Sequence, residues 1–81
     1  MANRNIVFEA VKNELEYQRR IGQNGSNLLG IWMAILTDRM GKAAAASLAG
    51  NPEQCKQEIL TVAAVAVATL EDHGLGTKRD E

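Results

Sequence analysis

The chain has 81 residues and a mass of 8.8 kDa, which predicts one small domain spanning residues 1–81. Apolar residues make up 46% of it and exclude a disordered chain, while an aromatic content of 4% is low for a β-sandwich or barrel. Nine basic against ten acidic residues give a net charge of −1, so the basic excess typical of nucleic-acid-binding proteins is missing. One cysteine and one histidine are too few for an intrachain disulfide or a Cys/His zinc site.

The N-terminal residues do not follow a secretory pattern, because charged residues precede any apolar run. The longest apolar run, Ile59–Leu70, has twelve residues, whereas a membrane span needs about 20. We therefore expect a cytoplasmic protein that binds neither membranes nor nucleic acids.

The first predicted element is an amphipathic helix over about 5–21. Asn3 or Asn5 is a candidate N-cap, and Arg19 and Arg20 lie in the last turn, where basic residues complement the helix dipole. Gly22 and the polar residues after it indicate a loop.

Two longer helices follow. The second is predicted over about 27–49, with Ser26 or Asn27 as its N-cap. The third is predicted over 52–73, because Asn51-Pro52-Glu53-Gln54 combines an N-cap, a proline at the first helical position and a capping-box glutamine. Gly74 ends this helix, and residues 75–81 are expected to form a frayed tail.

The apolar run of the third helix predicts the assembly. From Ile59 to Leu70 the helix is apolar on nearly every face, and such a helix is buried on every face. Two other helices of an 81-residue chain cannot surround it. We expect an all-α fold of two long antiparallel helices plus an N-terminal helix, assembling as an oligomeric four-helix bundle, either a homodimer or a tetramer.

Few residues are candidates for chemistry. His73 lies in the last turn of a helix, where a dipole contact is its ordinary role, and Cys55 is expected to be a small core residue. Asp38 and Lys42 are four residues apart on the second helix and can form an ion pair. Glu58 and Thr61 share one face of the third helix.

Two segments, 29–43 and 57–71, resemble the MazG-like all-α nucleoside triphosphate pyrophosphohydrolases, in particular their short phage and bacterial versions. Residues 14–22 also resemble the charged first helix of those short members. The resemblance implies an all-α fold and cleavage of a nucleoside triphosphate between its α- and β-phosphates, which releases a monophosphate and pyrophosphate.

The same resemblance implies a set of site residues. In the family, Mg²⁺ is held by a Glu-Glu-x-x-Glu motif on one helix and a Glu-x-x-Asp motif on the next. The first motif falls on Asp38, Arg39 and Lys42, and the second falls on Glu58 and Thr61. Only Asp38 and Glu58 retain a carboxylate, whereas two positions carry cations and one a hydroxyl. Mg²⁺ requires carboxylate oxygens, so the site is degenerate.

We therefore expect a MazG-like homo-oligomer that is non-catalytic or catalytically impaired and that binds nucleotides or has a regulatory role. No cofactor is expected. Trp32, Arg39 and Lys42 are its candidate nucleotide contacts. Lys42 either takes the place of the metal between Asp38 and Glu58 or reaches outward to solvent along the edge of the helix. Two alternatives stay open. One is an active, Mg²⁺-dependent pyrophosphohydrolase that uses a reduced ligand set, and the other is a purely structural helical oligomer.

Overall fold

The computed structural model describes residues 1–23 and 25–76, and within this part the chain forms three α-helices and no strand. They are α1 (Arg4–Arg20), α2 (Leu29–Leu48) and α3 (Pro52–His73). The all-α class is therefore confirmed. Residues 77–81 of the expected frayed tail lie outside the described residues.

Side-chain caps start two of the helices. The side-chain oxygen of Asn3 accepts a hydrogen bond from the backbone N–H of Ile6 at 2.9 Å, and Asn51 accepts one from Gln54 at 3.1 Å. Each cap satisfies one of the backbone donors that the first helical turn leaves unpaired. The cap predicted for α3 is confirmed, and of the two candidates for α1 the structure selects Asn3.

The cap predicted for α2 is wrong. Leu28 occupies the N-cap position and makes no side-chain cap bond. Ser26 and Asn27, the two predicted caps, instead bind the carboxylate of Asp72 near the end of α3. A long-range carboxylate has replaced the local contact on which the prediction rested.

A tight turn folds α2 back against α3. The backbone N–H groups of Gly50 and Asn51 donate to the carbonyls of Ser47 and Ala46, and Gly50 adopts a φ of 74°. This pattern is a Schellman motif, in which glycine takes the left-handed conformation without strain. Trp32 near the start of α2 contacts Asp72 near the end of α3, so the two helices run antiparallel.

The core lies along α3, which packs against both α2 and α1. Its buried residues are Leu15 from α1, Trp32 from α2, and Ala64, Val65 and Ala68 from α3. Because Ala64 and Ala68 are small, the larger side chains of Leu15 and Trp32 fill the space between the helices.

The apolar run of α3 is covered only in part. Ala64, Val65 and Ala68 are at most 3% exposed, whereas Ile59 is 50% and Leu70 47% exposed. One copy of the chain thus leaves a side of this helix open to solvent. No helix in the described part of the chain has the length and apolar character needed to span a membrane.

Candidate functional site

The predicted ion pair on α2 is present. The ammonium Nζ of Lys42 lies 3.5 Å from Oδ2 of Asp38, and both side chains are more than half exposed. Because they lie one helical turn apart on the surface, water screens their attraction. The carboxylate of Asp38 is therefore already balanced by a cation of its own helix.

Glu58 lies apart from that pair. Its Oε1 accepts a 3.0 Å hydrogen bond from the side chain of Gln54, and its Oε2 is buried without a hydrogen-bond partner among the described residues. Thr61, one turn further along, donates its hydroxyl to the backbone carbonyl of Gln57 at 3.2 Å. Among the described residues Lys42 forms no ion pair with Glu58, so the structure contains only the Asp38 half of the predicted bridge.

These residues do not fit a Mg²⁺ ion. Mg²⁺ is bound octahedrally by oxygen ligands, usually with carboxylates among them. Within residues 1–23 and 25–76, no three acidic, histidine or cysteine side chains come close enough together to hold a metal. Of the two carboxylates that remain at the family positions, that of Asp38 is next to an ammonium.

The three candidate nucleotide contacts occupy different environments. Trp32 is 1% exposed, so neither face of its indole is open to a nucleotide base. Arg39 is half-buried and makes no hydrogen bond or ion pair to the described residues, whereas Lys42 is exposed. The two cations are therefore accessible to an anion, while the indole belongs to the core.

The carboxylate of Asp72, which the sequence prediction passed over, accepts three hydrogen bonds from described residues. Its Oδ2 accepts from the backbone N–H of Asn27 at 3.0 Å and from Nε1 of Trp32 at 2.8 Å. Its Oδ1 accepts from the hydroxyl of Ser26 at 3.0 Å. The N–H bond from Asn27, followed by that from Trp32, lowers the pKa of the Asp72 carboxyl below its ordinary value of 3.8.

His73 completes this contact between the loop and α3. Its Nε2 lies 2.6 Å from the backbone carbonyl of Asn27 and 3.6 Å from Oδ2 of Asp72. An N–H at Nε2 donates to that carbonyl. We call the contacts of Ser26, Asn27 and Trp32 with Asp72 and His73 the Asp72 clasp. It fixes the segment before α2 against the end of α3, so the role of these contacts is to stabilise the fold.

Gln18 is a second polar residue that the sequence prediction passed over. It is 1% exposed, and its Nε2 donates to Oε2 of Glu14 at 3.0 Å and to the backbone carbonyl of Thr61 at 3.3 Å. The spacing of Val11, Leu15 and Gln18 places all three on the face that α1 turns to the core. The burial of Gln18 could have been predicted from this spacing. A glutamine among charged residues, however, suggests an exposed position.

A shallow groove of about 340 Å³ lies between α1 and α3. Its lining is mostly apolar and consists of Phe8, Val11, Lys12, Leu15, Val67 and Glu71. Glu71 is paired with Arg19 at its edge. None of the predicted site residues contributes to this groove.

The geometry thus separates a surface ion pair, a buried carboxylate oxygen and a structural clasp, with no carboxylate cluster in the described chain. Compared with protein-family models, with curated proteins and with solved structures, the chain gives no significant match in any of the three searches.

Proposed function

We propose that this chain is a MazG-like helical homo-oligomer that binds nucleotides without hydrolysing them. The observation that carries the proposal is the Asp38–Lys42 pair. In the family that the sequence resembles, the position of Lys42 is acidic. Here it carries an ammonium, which lies beside Asp38, one of the two carboxylates that remain at the family positions. A second cation, Arg39, adjoins them.

The charge of this cluster suits a phosphate group better than a metal. Asp38, Arg39 and Lys42 sum to a net charge of +1, whereas the acidic motif at these positions would sum to −3. Guanidinium and ammonium groups are the usual protein partners of phosphate oxygens. Nucleotide binding at Arg39 and Lys42 would therefore not depend on a divalent cation.

Self-association is the other part of the proposal. The half-exposed side chains of Ile59 and Leu70 support it, because a second copy of the chain would bury the open side of α3. We infer a four-helix bundle built from two α2–α3 hairpins. A cytoplasmic location is consistent with the single half-buried thiol of Cys55, which a reducing compartment preserves.

The test has two readouts on the full-length chain. A panel of ribo- and deoxyribonucleoside triphosphates is incubated with Mg²⁺ or Mn²⁺ while released pyrophosphate is measured. Binding of the same nucleotides is measured by calorimetry with and without a metal chelator. We expect no release of pyrophosphate and binding that the chelator leaves unchanged.

Matched variants identify the site. Lys42→Ala should weaken nucleotide binding, whereas Lys56→Ala, which removes another exposed, ion-paired lysine, should not. Metal-dependent turnover that disappears in Glu58→Gln would instead establish an active pyrophosphohydrolase. If the chain shows neither turnover nor nucleotide binding, a purely structural oligomer remains.

A further inference from the structure

The groove between α1 and α3 has an apolar base. Leu15 is buried and Val11 is half-buried, so these two side chains lie deepest in it. Phe8 and Val67 are 64% and 37% exposed and form its edges. The four side chains therefore present one apolar surface that is open to solvent.

The charges that line the groove do not cancel. Glu71 is balanced by the guanidinium of Arg19, which does not itself line the groove. Lys12 is exposed and forms no ion pair or hydrogen bond with any described residue, although Glu16 lies one helical turn further along α1. The groove thus carries one unbalanced positive charge, on its α1 side.

Neither end of the chain supplies an apolar side chain that fills the groove. Met1 is fully exposed, and Leu75, which follows the end of α3, is 87% exposed. The sequence of residues 77–81 contains no hydrophobic residue. An apolar occupant must therefore come from outside this chain.

The size and charge of the groove indicate the chemistry of that occupant. Its volume of about 340 Å³ is at the low end of the roughly 300–1,000 Å³ that small-molecule sites enclose, and such sites are mostly apolar with a few polar groups that orient the ligand. One ammonium balances one carboxylate. A phosphate monoester, with a charge of about −1.5 to −2, would keep excess negative charge near Glu71.

We propose that this groove binds a small amphipathic carboxylate of the fatty-acid type. The hydrocarbon chain lies on Val11, Leu15 and Val67 between the two helices, and the carboxylate pairs with Nζ of Lys12 at the edge. Because the groove is shallow, part of the ligand stays in water, and the dissociation constant is about 10 μM to 1 mM. None of the proposed nucleotide contacts lines this groove, so its function is separate from nucleotide binding.

Two probes with the same alkyl chain and opposite charges test this assignment. Decanoate and decyltrimethylammonium are titrated into the full chain below their micelle-forming concentrations, and binding is measured by calorimetry. The chain has a net charge of −1, so its overall field does not favour an anion. Decanoate should nevertheless saturate a single site per chain and bind at least about 5-fold more tightly than decyltrimethylammonium, because of the local charge of Lys12.

Matched variants locate the site. Lys12→Gln should abolish the preference for decanoate, whereas Lys56→Gln, which removes another exposed lysine, should keep it. Val67→Asn should weaken the binding of both probes by about 5-fold or more, because it places an amide in the apolar lining. Val7→Asn makes the same change outside the groove at a similar exposure, 44% against 37%, and should have no effect. Circular dichroism checks that each variant is helical.

The opposite results exclude a fatty-acid site. It is overturned if decanoate shows no saturable binding up to about 1 mM, or if the wild type binds the two probes equally. It is also overturned if Lys12→Gln keeps the preference for decanoate, or if Val67→Asn and Val7→Asn bind alike. If Val67→Asn is unfolded, the two probes on the wild type and on Lys12→Gln decide. A groove occupied by a second copy would appear as an oligomer that Val67→Asn dissociates, without saturable binding of decanoate.

Discussion

Nε1 of Trp32 donates a 2.8 Å hydrogen bond to Oδ2 of Asp72, which joins the first turn of α2 to the last turn of α3. The indole is 1% exposed, so its N–H has no access to bulk water as an alternative partner. The carboxylate satisfies this donor while keeping its own contacts with Asn27 and Ser26. The aromatic core and the loop that precedes α2 are therefore fixed by one acidic side chain.

Replacing that indole tests the clasp. Trp32→Phe keeps an aromatic ring in the core but removes the N–H and part of the buried volume, so the free energy of unfolding should fall by about 1–3 kcal/mol. Urea unfolding followed by circular dichroism measures the loss. The control is Tyr17→Phe, which removes a hydroxyl from a 49% exposed side chain and should change stability by less than about 0.5 kcal/mol. Equal effects of the two substitutions would contradict a structural role for the Trp32–Asp72 bond.

The free energy of unfolding should depend on pH through the ionisation of the Asp72 carboxyl. Its pKa is lowered in the folded state, chiefly by the Asn27 N–H and then by Trp32, so the folded state favours the ionised carboxylate. This contribution is complete above the unfolded pKa of 3.8 and is lost as the pH falls below that value through the folded pKa. The urea midpoint of the wild type should therefore fall more steeply between about pH 5 and about pH 2 than that of Asp72→Asn. Fluorescence of the single tryptophan can follow both, and parallel curves would contradict the prediction.

Among the polar positions of α1, Gln18 should be the one at which a substitution lowers the stability of the fold most. Gln18→Glu would bury a carboxylate beside Oε2 of Glu14 and the carbonyl of Thr61, where the amide now donates to both. A buried carboxylate that faces two acceptor oxygens costs about 3–5 kcal/mol, so we expect this variant to lose most of its stability at neutral pH. Gln57→Glu makes the same chemical change at an exposed position of α3 and should stay within about 0.5 kcal/mol of the wild type. A stable Gln18→Glu protein would show that α1 can shift on α3.

Lys42→Met distinguishes a surface ion pair from a replacement for a metal. Lys42 is 54% exposed and 3.5 Å from Asp38, so its removal should change the free energy of unfolding by no more than about 0.5 kcal/mol. Thermal melts at low and high salt measure this effect. A large loss that depends on salt would mean that the ammonium bridges Asp38 and Glu58.

Local signals predicted most of the fold. The Asn51-Pro52 start of α3 and the Asn3 cap, one of the two candidates for α1, depend on residues within one turn of each other, and the structure contains both. The Asp38–Lys42 pair was predictable for the same reason, because four-residue spacing on a helix settles it.

The features that were missed all depend on distant residues. Ser26 and Asn27 have the composition of helix caps, and only the approach of Asp72, more than forty residues later, shows their actual partner. Gln18 is polar, and its burial depends on the carbonyl of Thr61 in another helix. Where Glu58 lies relative to Lys42 likewise depends on how α2 packs on α3, which no local pattern specifies.

The Asp72 clasp also has a consequence for the order of folding. The α2–α3 hairpin is closed by a three-residue turn, so little chain entropy is lost when its two helices meet. In the clasp, Ser26 and Asn27 bind a residue 46 and 45 positions away, so these bonds replace bonds to water only when the end of α3 is in place. The turn end of the hairpin should therefore form before the clasp at its other end. Substitutions in the clasp should then mainly accelerate unfolding, whereas substitutions in the turn at Gly50 should slow folding.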